Sequence, residues 1–261
     1  MNFRRIYAII LRYLYIFRRS YDRLADAFYW PTIDLIVWGL TSAYLKSFAP
    51  KSSPIILMIV SGILLWLIVW RAQHEITGGI LEDLYNKNLI NIFVSPLKFL
   101  EWNMAFLIMG VLKIIISLPF AMLVAYLLYH VQIFLYGFYL IPFIISLTIS
   151  GWWIGFFVAG LIFRFGTRVQ ILAWAVVAII SPFAAIYYPV SILPTWAQYI
   201  AYATPMSYIF EGSRQIIFKH YLDPKNLIIS FILNFIYLTV AIIFVKSSFK
   251  KVLSKGLIKL F

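Results

Sequence analysis

Few residues of this 261-residue chain can do chemistry, and their positions restrict it further. His74, His130 and His220 lie far apart, and no paired carboxylates share an apolar run, so spacing assembles no acid–base set. Cysteine is absent, which removes thiolate nucleophiles, disulfides and thiolate-held metals. There is no Gly-x4-Gly-Lys-Ser/Thr and no Gly-Lys dipeptide, hence no phosphate-binding loop of that type. Two ionisable groups stand inside apolar runs, which makes them functional candidates by default. For Asp34, just after Trp30-Pro31, capping competes: proline suits the first helical position and an acid suits the first turn. Lys113 at mid-helix costs about 2.5–3.5 kcal/mol unless it snorkels or finds an interior partner. Aromatic and small residues form helical faces instead. Gly62, Trp66 and Trp70 recur at steps of four, and Gln170, Trp174, Ala178, Ser181, Ala185 and Tyr188 make a second stripe. Such faces serve helix packing or line a substrate path.

The elements that hold these residues belong to a membrane. The chain is 64% hydrophobic and 12% charged, against about 25% charged in soluble domains. Six apolar runs approach the roughly 20 residues needed to cross a bilayer: 30–48, 54–72, 102–128, 133–163, 169–188 and 226–245. Of the 22 Lys and Arg, 16 fall on one side if both termini are cytoplasmic, and five on the other. The positive-inside rule then predicts a multi-pass protein of the cell inner (plasma) membrane, N-in and C-in, with residues 246–261 as a cytoplasmic tail. The net charge of +13 is accounted for by this asymmetry and calls for no nucleic acid.

Three segments outside the spans carry pattern. Residues 2–28 read as an amphipathic interface helix: Phe3, Ile6, Tyr7, Ile10, Leu14, Phe17, Tyr21 and Leu24 form a stripe opposite Arg5, Arg12, Arg19 and Arg23. Such a helix lies in the headgroup plane with its arginines toward water and phosphate. Residues 189–223 are apolar but cut by Pro194 and Pro205 into helices too short to cross, which predicts a re-entrant pair on the outer side. Glu211 and Arg214 stand at i, i+3 there. In residues 73–98, Ile76, Ile80, Leu81, Leu84 and Tyr85 make one half of a helix. Gly78, Gly79, Glu82, Asp83, Asn86 and Lys87 make the other. An acidic half reaching out fits a docking element, with an ordinary membrane-surface helix as the plain alternative.

The run Gly79-Ile80-Leu81-Glu82-Asp83-Leu84, then Ser95-Pro96-Leu97 and Glu101, resembles the cytoplasmic coupling region of ABC-2-type permeases, the membrane subunits of a class of ABC exporter. The segment from Tyr187 to Arg214, with Pro194, Trp196 and Pro205 and its Glu-x-x-Arg, resembles the outer helix pair of the same family. Glu82 to Pro96 is about two turns longer than the family pattern. The resemblance implies an all-α integral membrane fold of six transmembrane helices. It also implies an ATP-driven exporter of a lipid-linked glycan, lipid or amphipathic drug, built from two permease copies (a homodimer) and two separate ABC ATPase subunits. ATP and Mg would sit on the partner; this chain would carry no cofactor, metal or catalytic residue. Docking would use Glu75, Gly78, Gly79, Glu82, Asp83, Asn86, Lys87, Arg164 and Arg168. Trp66, Gln170, Trp174 and Ser181 would line the path, with Pro194, Trp196, Pro205, Glu211 and Arg214 as outer gate. The rival readings are a secondary transporter, or a membrane-embedded enzyme, working without an ATPase.

Overall fold

The structure, a computed structural model, describes residues 1–48 and 54–255; Lys51 and the last six residues of the predicted tail lie outside them. The described residues are helical, without a strand. They form α1 (Phe3–Arg19), α2 (Tyr21–Ser47), α3 (Ile55–Tyr85), α4 (Leu89–Val94) and α5 (Phe99–Tyr129). After a 3-10 segment at Ile133–Tyr139 come α6 (Leu140–Phe165), α7 (Leu172–Ile180), α8 (Thr195–Ala203), α9 (Pro205–Lys219) and α10 (Pro224–Lys255). Among the described residues, four stretches are long and apolar enough to cross a membrane: Ile55–Tyr85, Phe99–Tyr129, Ile133–Val169 and Pro224–Ser254. This is an all-α membrane protein.

At the centre lies α3, packed against α2, α5 and α6. Its approach to α6 depends on two glycines one turn apart. A Cβ on Gly151 would lie 2.6 Å from the Val69 carbonyl oxygen, and one on Gly155 would lie 3.0 Å from Ile76 Cβ. Small residues at this spacing let helix backbones close without hydrocarbon between them. The partner seam, α6 on α10, is held by polar side chains: the Ser146 and Ser230 hydroxyls lie 2.8 Å apart, and Asn234 Nδ2 donates to Ser146 Oγ at 2.9 Å. All three are fully buried, where an unpartnered polar group would be expensive.

Several boundaries differ from the sequence expectation. The interface helix ends at Arg19, with extended backbone at Ser20, rather than running to residue 28. Its buried residues are Ile6, Tyr13 and Phe17, whereas Phe3 and Tyr7 are exposed. Pro31 does not begin a helix. It lies ten residues inside α2 and is buried, so one missing N–H is tolerated in a helix that continues on both sides. The capping account of Asp34 therefore fails, because the first turn of that helix is at Tyr21. Run 54–72 and the segment after it form one helix, which stops only where Lys87 turns left-handed (φ 52°). There the N–H groups of Lys87 and Asn88 reach back to the carbonyls of Leu84 and Asp83, both at 2.9 Å, a Schellman termination. Residues 169–188 do not make one crossing helix: α7 has nine residues, about 14 Å, before a 3-10 turn at Ser181–Phe183 that contains Pro182. Run 133–163 is broken at Gly137 (φ 52°), and α10 extends ten residues past the predicted end at 245.

Candidate functional site

A row of ion pairs ties the N-terminal helices to α3 and α5. Arg5 of α1 reaches Glu101 (3.6 Å) and the Pro96 carbonyl; Arg12 reaches Asp83 (2.8 Å). From α2, Arg23 pairs with Glu82 and Asp26 with Arg71. Deeper in the bundle, Glu75 of α3 pairs with Lys113 of α5, whose ammonium lies 5.2 Å from the Phe17 ring centroid. Lys113 thus finds an interior partner rather than snorkelling. The arginines at Arg5, Arg12 and Arg23, expected to face water and phosphate, are spent on protein carboxylates. Arg19 at the end of α1 stays exposed.

Asp83 is the centre of this row. It is fully buried and accepts from the Tyr13 hydroxyl and Trp102 Nε1 (3.2 Å) on one oxygen, and from Arg12 and Asn88 Nδ2 (3.2 Å) on the other. Burial, then the charge of Asp83, pushes the Tyr13 phenol far above its ordinary value, so it stays a donor across the physiological range. Glu101 closes the first turn of α5. The backbone N–H groups of Lys98 (3.0 Å) and Asn2 (2.7 Å) donate to its two carboxylate oxygens.

The expected docking face is mostly turned inward. Glu75 and Asp83 are buried, so the acidic half does not reach out. Glu82 is half-buried against Arg23. A Cβ on Gly79 would lie 2.1 Å from Phe106 Cε1, so this glycine serves the packing of α3 on α5. Gly78 is half-buried; Asn86, Lys87, Arg164 and Arg168 are exposed. Beyond Lys87, α4 fills the extra length before Pro96. It buries Leu89 and Ile92 and exposes Ile90 and Val94, the latter 82%.

Between α2, α3 and α7 lies a cavity of about 370 Å³. Of the predicted path residues Trp66, Trp174 and Ser181 line it; Gln170, exposed beyond the start of α7, does not. Trp70, on the same predicted face as Trp66, lines it too; sequence reasoning missed Trp30, Trp38 and Tyr187, the last two stacked at 4.2 Å. Arg71 and Asp34 supply its charges. Trp70, His74 and Trp174 cluster at one end, with the His74 ring 4.7 Å from Trp174. Trp174 also lines a second, charged cavity of about 270 Å³ that holds Arg23, Asp26, Glu75 and Lys113.

In the pair α8 and α9, Pro205 opens α9, while Pro194 sits just ahead of α8 and Trp196 is exposed on it. Glu211 Oε1 accepts from Arg214 (3.1 Å) and from the Val190 N–H (2.7 Å). Arg214 is buried and Glu211 half-buried, so the i, i+3 pair lies largely inside the fold.

Helices long and apolar enough to cross a membrane thus surround a cavity lined largely by aromatic side chains. A family model described as ABC-2 type transporter matches residues 10–218, and the chain belongs to that family. It is a permease component of an ABC transporter, a kind of subunit that is generally not catalytic itself and generally pairs with ABC ATPases. Comparison with curated proteins yields no match.

Proposed function

We propose that this permease exports an amphipathic substrate, as one of two copies powered by two separate ATPase subunits in the inner membrane. The observation that carries the reading is the continuity of α3. One 31-residue helix holds Trp66 and Trp70 in the cavity wall and ends at Tyr85, beside the exposed face of α4. From Trp66 to Tyr85 is about 28 Å at 1.5 Å per residue, so a rigid rod joins the two places. A push at its end is a displacement of the cavity wall.

The proposed docking surface is therefore shifted from Glu75–Lys87 to Tyr85, Asn86, Lys87, Ile90 and Val94, with Arg164 and Arg168 as a second contact. Exposed apolar side chains on a short helix rimmed by polar ones suit a protein groove. The buried ion pairs then fix the angle of α3 against α1, α2 and α5, so that the rod moves with its neighbours. Six spans with both termini inside would require α2 to cross, and α7 to cross with the irregular chain after it. In that topology α8 and α9 form an outer gate braced by Glu211.

The test is ATP hydrolysis by the complex captured through the full-length chain. The reading expects Val94→Asp with Ile90→Asp to abolish ATPase capture while the permease still elutes as a single species. Undiminished capture would remove α4 from the interface.

A further inference from the structure

We infer that the aromatic cavity between α2, α3 and α7 is selective for a cationic head group, with Asp34 as its counter-ion. The inference rests on the reading of that cavity as the substrate path. Five tryptophans, Trp30, Trp38, Trp66, Trp70 and Trp174, and Tyr187 line it. Their faces carry the negative lobe of the ring quadrupole and attract cations, most strongly where water is excluded.

Two charged side chains face this space, and they differ in what they have left to offer. Arg71 is only 2% exposed, and both of its terminal nitrogens are engaged, one on the Asp26 carboxylate and one on the Asp26 carbonyl. Its charge is balanced before any ligand enters. Asp34 makes no ion pair or hydrogen bond among the described residues, and its helix begins 13 residues earlier, so it caps nothing. A carboxylate in an apolar run with neither structural partner nor capping role is expensive to keep. A cation held between the rings and Asp34 supplies the missing partner; a phosphate in the same place would meet ring faces and a carboxylate, both repulsive, with only the buried Nε–H of Arg71, the one group of that guanidinium without an acceptor, to offset them. The favoured substrate class is thus an amphiphile with a quaternary ammonium or amine head rather than a phosphate-linked one.

The experiment uses the full-length chain in lipid nanodiscs and two probes of nearly equal size and opposite charge, tetraphenylphosphonium and tetraphenylborate, titrated by tryptophan fluorescence. Asp34→Asn is expected to weaken the cation about tenfold, equivalent to about 1.4 kcal/mol, without weakening the anion. Asp34→Glu should recover most of that loss. Reading the variant against the unaltered chain cancels each ion's own partition into lipid. Equal loss for both ions, or for neither, would overturn the counter-ion role while leaving the cavity as a path. Trp66→Ala is expected to weaken both probes. If it changes neither, the cavity is not a binding site, and the path reading fails together with the inference.

Discussion

Removing the charge of Asp83 should cost far more than removing that of Glu82, its neighbour in sequence. Asp83→Asn keeps the shape but replaces one carboxylate oxygen by an amide. Whichever way the amide turns, at least one pair of donors, Tyr13 with Trp102 or Arg12 with Asn88, then faces an NH2 group in a fully buried site. The Tyr13 hydroxyl can turn and accept, but Trp102 Nε1 and the Arg12 guanidinium only donate. Arg12 is a third exposed and regains water, so the cost is that of stranding buried donors on a lost charged acceptor, about 3 kcal/mol. Glu82→Gln breaks a pair whose side chains are about a quarter exposed, where screening leaves about 0–1 kcal/mol. For a chain of this size each kcal/mol moves the melting temperature by about 2–4 °C. Asp83→Asn should therefore lower the apparent melting temperature of the solubilised protein by about 6–12 °C, and Glu82→Gln by about 4 °C or less, followed by fluorescence-detected gel filtration after heating. Equal shifts, or a neutral Asp83→Asn, would refute the reasoning that this carboxylate locks α1 onto α3 and α5.

Lys113→Met and Glu75→Gln should each destabilise, while the double replacement recovers much of the loss, because the cost is an orphaned buried charge; a double-mutant cycle with no coupling would deny the pair. Glu101 accepts from the Asn2 and Lys98 N–H groups, so Glu101→Gln should accelerate hydrogen exchange at Asn2–Ile6 at neutral pH, and unchanged exchange there would deny that this carboxylate ties down the start of α1. For α8 and α9, proposed to lie on the outer side, cysteines at Tyr199 and Lys219, both exposed, should react with an impermeant thiol reagent added outside, whereas one at buried Ser213 should not. Labelling of Tyr199→Cys only from the cytoplasmic side would reverse the proposed topology.

Patterns set by local chemistry were legible in the sequence. The short helices α8 and α9 follow from Pro194 and Pro205, the Glu211–Arg214 pair from its i, i+3 spacing, and the faces that bring Trp66, Trp174 and Ser181 into one cavity wall from helical periodicity. What failed depended on partners far along the chain. Asp83 lies on the polar half of its helix by periodicity. That this half is buried follows from Arg12 and Tyr13, some 70 residues away, folding over it. One signal was available: a chain with 12% charge places four acids, Glu75, Glu82, Asp83 and Glu101, within one turn-rich stretch, and arginines at a seven-residue spacing in its first helix. Complementary sets of that kind in an apolar protein pair with each other more cheaply than with lipid. The helix start assigned to Pro31 failed because a buried proline in a long apolar helix loses one hydrogen bond and little else. The broken course of residues 169–188 had its cue in Pro182, which ends regular helix soon after α7.

On the proposed function, this permease is driven by separate ATPase subunits docked on the face formed by Tyr85–Lys87 and α4. The most direct measurement is the mass of the intact complex captured from native membranes through the full-length chain, with its ATP turnover. The account predicts two permease chains with two nucleotide-binding subunits, and loss of those subunits when Ile90 and Val94 become aspartate. A chain recovered without any ATPase, yet moving substrate when reconstituted without ATP, would contradict it.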